Sequence, residues 1–201
     1  MGGLDGARQA RGGRNRAGQR RDRHGGPSIA VQVARRLGAA KVIATARDAK
    51  ALEAVASLGA DVTIPLVEDD AALEIAFRQA FAAGVDVVID YLWGRSAERL
   101  LIAAAKAGKD SAPIRFIQVG SASGPDINLP SAVLPSSAIE LMGSGIGSVP
   151  LDRLVCAVAA LLHATTPAGF QIATKPVPLS EVEQAWPLDD SAFRTVLTVG
   201  D

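Results

Sequence analysis

A chain of 201 residues fits one domain by the usual range of about 100–200 residues per domain, so a second full domain is not expected. Apolar residues make up 48% of it, enough for a core, and this excludes general disorder. Its 21 basic and 21 acidic residues cancel, leaving no global field that would draw it to nucleic acid or to a membrane.

The chain divides at about residue 26. Met1–Gly26 holds seven Arg, eight Gly and two Asp and carries +5, whereas the rest carries −5. A segment so polar cannot bury enough surface to offset its ordering entropy, and residues 1–26 are expected to be a disordered Arg/Gly-rich head. An arm for RNA or an acidic partner, a solvated tail and out-of-frame translation are its three readings.

From Pro27 the text alternates between short strands and helices. Ile29, Val33 and Leu37 recur at helical spacing beside Ala30 and Ala34, predicting a helix with this row inward and Gly38 as its stop. Lys41–Ala46 reads as a buried strand, and Asp48 as the cap of a helix whose Leu52, Val55 and Ala56 face the core before Gly59 ends it. Val62–Pro65 reads as a strand, Asp70–Ala82 as a helix opened by Asp69-Asp70, and Val85–Asp90 as a strand. Ser96 caps the next predicted helix, which runs through Ala107; strands follow at Pro113–Val119 and Ala138–Met142, and a helix at Leu151–Leu162. Such β-α alternation, with nearly continuous apolar strands, predicts a Rossmann-type, doubly wound parallel sheet covered on both faces.

In open α/β sheets ligands bind beyond the carboxyl ends of the strands, so the residues just after each strand carry the functional reading. After the second strand the first charge is Arg47, while Asp48 is used as a cap. A cation there suits a phosphorylated ribose and a carboxylate would suit a free one, so Arg47 favours NADP over NAD; a surface arginine is the plain alternative. The later strands end in Asp90-Tyr-Leu-Trp-Gly94, Val119-Gly-Ser-Ala-Ser-Gly124 and Gly143-Ser-Gly-Ile-Gly-Ser148. Small residues let the backbone approach a ligand, and three such loops on one edge outline a cleft, although each alone is an ordinary turn.

Other chemistry is weakly represented. His24 and His163 have no Cys or acid at ligand spacing, so no metal site is expected. The single cysteine, Cys156, allows no intrachain disulfide and reads as a small buried hydrophobe. Asp189-Asp190 reads as a surface turn, and Trp93 and Trp186 are too far apart for a base-stacking platform. Apolar stretches such as Leu154–Leu162 stop short of the roughly 20 residues of a bilayer span, and the head has no signal core, so a soluble cytoplasmic protein is the default.

A dinucleotide fold opens with a strand and a Gly-rich turn that holds the pyrophosphate at the start of the first helix. Before that helix this chain has Arg20-Arg-Asp-Arg-His-Gly-Gly26, in which no strand can be read. The sheet is therefore expected to lack its first strand or to carry a degraded one. Codons exist for Gly13–His24 that, read one nucleotide later, give Ala-Glu-Thr-Val-Leu-Val-Asn-Gly-Ala-Thr-Gly. That alternative text is an apolar strand running into a Gly-rich turn, which makes out-of-frame translation the favoured account of the head.

With these residues in view, Ser28–Val199 resembles the C-terminal part of the zinc-independent medium-chain dehydrogenase/reductases, the quinone oxidoreductase and zinc-less alcohol dehydrogenase-like group. The likeness is carried by Ile29–Ala39 running into Val42–Arg47, by Leu58-Gly-Ala-Asp61, by Gly84–Asp90 and by Pro176–Trp186. It implies residues 27–169 as an NAD(P)-binding domain and 170–201 as a return segment that packs on an N-terminal substrate domain. It further implies NADPH as cofactor, no metal, and reduction of a quinone, enone or aldehyde by hydride transfer. Thr45 and Arg47 would meet the adenosine ribose and its phosphate, Tyr91 the adenosine half, and Gly120, Ser121, Gly143 and Gly145 the nicotinamide half.

Gly26 would still offer a phosphate-binding amide, whereas Pro27 has none. The substrate domain is missing from this text, so the expected product is a truncated cofactor-binding part without full activity and with exposed apolar surface. A catalytically inert NAD(P)-binding module is the alternative. A small-molecule acceptor is the expected partner, nucleic acid and membrane are not, and a homodimer is compatible with the sequence.

Overall fold

The computed structural model describes residues 25–67, 69–108, 112–187 and 193–200. The expectations for the head up to His24 and for the Asp189-Asp190 turn lie outside the described residues.

The first half contains α1 (Gly25–Arg36), β1 (Ile43–Ala46), α2 (Ala49–Ser57) and β2 (Val62–Pro65). Val31, Val42, Ala44 and Val55 close a small core between the two helices and β1. Asp48 caps α2 by accepting from Lys50 N at 3.0 Å, as its short polar side chain at that position predicts. The inward rows differ from the expected ones. Val31 is the buried contact of α1, whereas Leu37 is 81% exposed because α1 ends at Arg36 and the chain turns out through Gly38. In α2 the buried pair is Ala51 and Val55, one turn apart, with Ala56 exposed.

The second half contains α3 (Asp70–Ala83), β3 (Val87–Asp90), α4 (Gly94–Ala107), β4 (Ile114–Gln118) and β5 (Ile139–Gly143). Leu73, Phe77 and Phe81 recur every four residues and place one face of α3 on Ile64 of β2, Ala103 and Ala104 of α4, and Ile114 of β4. Asp69 caps α3, accepting from the Ala71 and Ala72 amides. Asp70, next in the chain, pairs with Arg95 and Arg99 at the start of α4. Ser96 is not the cap of α4: Trp93 occupies that position, and the Ser96 hydroxyl donates back to its carbonyl at 3.2 Å.

All pairings between strands are parallel, but the sheet is divided. β1 pairs with β2, and β3–β4–β5 form a separate sheet. The α1–α2 core and the α3–α4 core lie on opposite faces, since Ala44 belongs to the first and Ile43, its neighbour, packs on the second. Helix α2 connects the parallel neighbours β1 and β2, α3 leads from β2 to the second sheet, and α4 connects the parallel neighbours β3 and β4. This is the Rossmann-type, doubly wound arrangement without its first strand among the described residues. The expectation of a missing or degraded first strand falls on the residues before α1 and lies outside the described residues.

The expected cover on both faces is not complete. Val88 packs on the α4 side, so alternation turns Val87 and Ile89 to the other face, where they are 38% and 47% exposed. Helix α5 (Leu151–Ala168) has no buried residue, and Cys156, expected inside, is exposed on it. A periodic apolar stripe therefore faces solvent through Val155, Val158 and Leu162. Gln32 of α1 holds the segment after α5, donating to Gln171 O at 2.9 Å and accepting from Gln171 N at 2.8 Å. The chain closes with β6 (Thr174–Pro178), a short 3-10 turn, α6 (Val182–Ala185) and β7 (Arg194–Thr198); β6 and β7 form their own parallel pair.

Candidate cofactor-binding site

Within each sheet the parallel pairing puts the carboxyl ends of neighbouring strands on one edge, where ligands of open α/β sheets bind. Gly26 lies in the first turn of α1, where helix amides have no partner within the helix. Thr45 is half-buried one residue before the end of β1. Arg47 follows, and its Nη2 donates to Ser123 Oγ at 2.7 Å, reaching from the first sheet to the loop after β4.

The end of β3 is the most heavily determined part of this edge. Asp90 is buried and its carboxylate accepts from Leu92 N and Trp93 N, both at 3.0 Å. Burial pushes its carboxyl above the usual carboxylate range, with the two amides pulling the other way. The turn so fixed leaves Trp93 at φ 56°, ψ −156°, a region in which only glycine is at ease, followed by Gly94 at φ 59°. Burial also raises the Tyr91 hydroxyl above its ordinary value.

The loop after β4 is laid against this turn. Gly120 N donates to Asp90 O at 3.2 Å, Ala122 N to Tyr91 O at 3.2 Å, and Ser123 N to Leu92 O at 2.7 Å. A Cβ on Gly120 would stand 2.6 Å from the Tyr91 carbonyl oxygen, so glycine is required there. Ser121 accepts from Gly124 N at 3.3 Å within the same loop. Arg47, Tyr91, Gly120 and Ser121 are thus gathered around one backbone network.

Gly143 and Gly145 are not drawn into it. Gly143 ends β5 and Gly145 lies in an exposed turn, closed on itself by Ser148 Oγ at 2.8 Å from Gly145 N. Open space surrounds both. A hollow of about 330 Å³ lies elsewhere, between β1–β2 and α3, lined by Ile43, Ile64, Pro65 and Ala80 among others. It runs along the sheet face, away from the loops after β3 and β4. No group of three or more His, Cys, Asp or Glu is gathered among the described residues. No described helix is long and apolar enough to cross a membrane.

Asp90, Trp93 and Ser123 were not singled out by the sequence reading as determinants of this edge. An Asp at a strand end followed by two amides in a tight turn is a usable signal for the first; nothing in the residue type predicts a left-handed Trp.

Residues 28–163 match the family described as zinc-binding dehydrogenase. The chain belongs to the zinc-binding dehydrogenase family. Solved structures share the fold of this zinc-binding dehydrogenase relative at low identity. A mycobacterial protein complexed with NADPH superposes with TM-score 0.59 at 21% identity, covering 79% of this chain and 47% of that one. A Pseudomonas syringae quinone oxidoreductase gives 0.61 at 20%, covering 85% and 52%. A Thermus thermophilus quinone oxidoreductase, solved also with NADPH, gives 0.56 at 23%, covering 78% and 48%. The chain thus spans about half the length of these structures. No curated protein matches it.

Proposed function

We propose that this chain is the NADPH-binding part of an oxidoreductase acting on a quinone, enone or aldehyde without zinc. The observation that carries the reading is the Arg47 guanidinium, fixed by Ser123 at the strand edge where a phosphorylated ribose would lie. A guanidinium has five donors in a planar fork, so one bond to a hydroxyl leaves the others for a phosphate. The donor set fits the adenosine end: Thr45 and Arg47 for the ribose and its phosphate, Tyr91 and its loop beside the adenine. It fits the pyrophosphate less fully, because Gly26 has an amide to give and Pro27 has none.

Bound NADPH would supply the hydride. The chain's own contribution is positional. Gly120 and Ser121, held on the Asp90–Tyr91 backbone, form a stiff shelf for the nicotinamide half, and Gly143 and Gly145 leave room beside it. Residues 27–169 would be the cofactor domain. Contacts to the acceptor belong to a second domain of the kind that residues 170–201 would meet, so this part alone would bind without full turnover. The zinc-independent assignment rests on the resemblance to the zinc-less group, and the sequence offers no Cys or acid at ligand spacing to His163.

Fluorescence titration with NADPH and NADH, together with a quinone turnover assay, tests the reading. Tighter binding of NADPH than NADH is expected. No binding of either cofactor would sink it, and binding without turnover in the full-length gene product would favour an inert cofactor-binding module.

A further inference from the structure

The loops after β3 and β4 are joined by backbone bonds that continue past the ends of the strands. Asp90 O accepts from Val119 N at 2.7 Å and from Gly120 N at 3.2 Å, and Leu92 O accepts from Ser123 N at 2.7 Å. Gly94 lies close against Ser123 as well: a Cβ built on it would stand 3.3 Å from both the carbonyl carbon and the carbonyl oxygen of Ser123. The turn on which Ser123 rests is itself fixed, because the Asp90 carboxylate accepts from the Leu92 and Trp93 amides. The backbone of Ser123 is therefore located by the sheet to which β3 and β4 belong.

Arg47 starts from the opposite condition. It is exposed, follows the last residue of β1 and so belongs to the other sheet. An exposed arginine has much rotamer freedom to lose when a ligand orders it, and a partner that orders it beforehand reduces that loss. The Ser123 hydroxyl is such a partner, accepting from Arg47 Nη2 at 2.7 Å across 76 positions of chain. It is also a neutral acceptor. A carboxylate in its place would hold the guanidinium as firmly but would offset the charge that a phosphate needs, whereas a hydroxyl directs the fork and leaves its charge intact.

We propose that Ser123 is a positioning residue that sets the preference for a phosphorylated over a free adenosine ribose, by holding the Arg47 guanidinium in place with its charge intact. The inference rests on the NADPH reading and adds to it a second determinant, carried by a different sheet from the first. Discrimination between the two cofactors then depends on the loop after β4 as well as on the end of β1. Without the hydroxyl, Arg47 is still present but no longer held, so the loss falls on the ligand that carries the 2′-phosphate and is smaller than the loss of Arg47 itself. NADH offers no phosphate at that position and does not depend on Ser123.

Fluorescence titrations of the full chain with NADPH and NADH test this in a double-mutant cycle. Ser123→Ala should weaken NADPH about 3- to 10-fold and leave NADH within about 2-fold, with the melting midpoint unchanged within a few degrees. Ser123→Thr keeps the hydroxyl and should return NADPH to within about 2-fold of the wild type. In the Arg47→Ala background, Ser123→Ala should change neither cofactor further, since Ser123 acts only through the guanidinium. Equal weakening of both cofactors by Ser123→Ala, unchanged NADPH binding in it, no recovery in Ser123→Thr, or a full second loss in the double variant would each overturn the proposal while leaving the cofactor reading in place. A wild type with no preference for NADPH, or a preference that survives Arg47→Ala, would overturn the cofactor reading and this proposal with it.

Discussion

Arg47 Nη2 and Ser123 Oγ stand 2.7 Å apart, joining residues that belong to different sheets. The bond uses one of the guanidinium's five donors. Replacing Arg47 with Ala should weaken NADPH by about 10-fold or more, the scale of a hydrogen-bonded charge pair, and leave NADH within about 2-fold. Parallel fluorescence titrations read this directly. Equal losses for both cofactors would refute the assignment to the 2′-phosphate.

Gly120 faces the Tyr91 carbonyl with no room for a side chain. Gly120→Ala should destabilise the fold by roughly 1–3 kcal/mol through forced displacement of the loop, seen as a lower urea midpoint. An unchanged midpoint would mean that the loop after β4 shifts freely.

Trp93 offers a cleaner probe of strain, because two substitutions remove the same indole. At φ 56° glycine is favoured, so Trp93→Gly should be more stable than Trp93→Ala by about 1 kcal/mol or more, opposite to the usual effect of glycine on the unfolded chain. Paired denaturation curves decide it; alanine equal to or better than glycine would show that the turn relaxes.

Asp90 and Asp70 should act oppositely on stability as pH changes. Burial raises the Asp90 carboxyl in the folded chain, so between its unfolded and folded values the folded state holds more proton; stability then falls as pH rises through that window. Asp70 is lowered by its hydrogen bond to Arg95, so its contribution is present above the unfolded value and is lost as pH falls through the folded one. The wild type should therefore gain on Asp90→Asn, and lose on Asp70→Asn, as acid is added. Urea midpoints at a series of pH values between neutrality and acid check both slopes, and parallel curves for wild type and Asp90→Asn would contradict the burial argument.

Much of this fold was legible because its signals are local. Asp48 and Asp69 cap the helices their side chains predict, and β2 occupies the residues read as a strand, Val62–Pro65. What failed depends on neighbours. Leu37 and Cys156 lie on apolar helical rows and were read as inward, but periodicity records only that one face is apolar and not whether anything covers it. Ser96 carries the favoured capping chemistry, yet the start of α4 is set three residues earlier by the Asp90 turn. Arg47 was found from its position after a strand; its partner Ser123 comes from a distant loop, and no spacing in the chain links them.

Helix α5 has a consequence of its own. Its 18 residues contribute no buried side chain, so its amides are guarded by little more than its own internal ladder. Deuterium should therefore enter α5 well before it enters α3 or α4, and a protease should cut first near Arg153. The rest of the molecule would outlast that cut, with α5 behaving as a fringe that can come and go without disturbing the body to which it is attached.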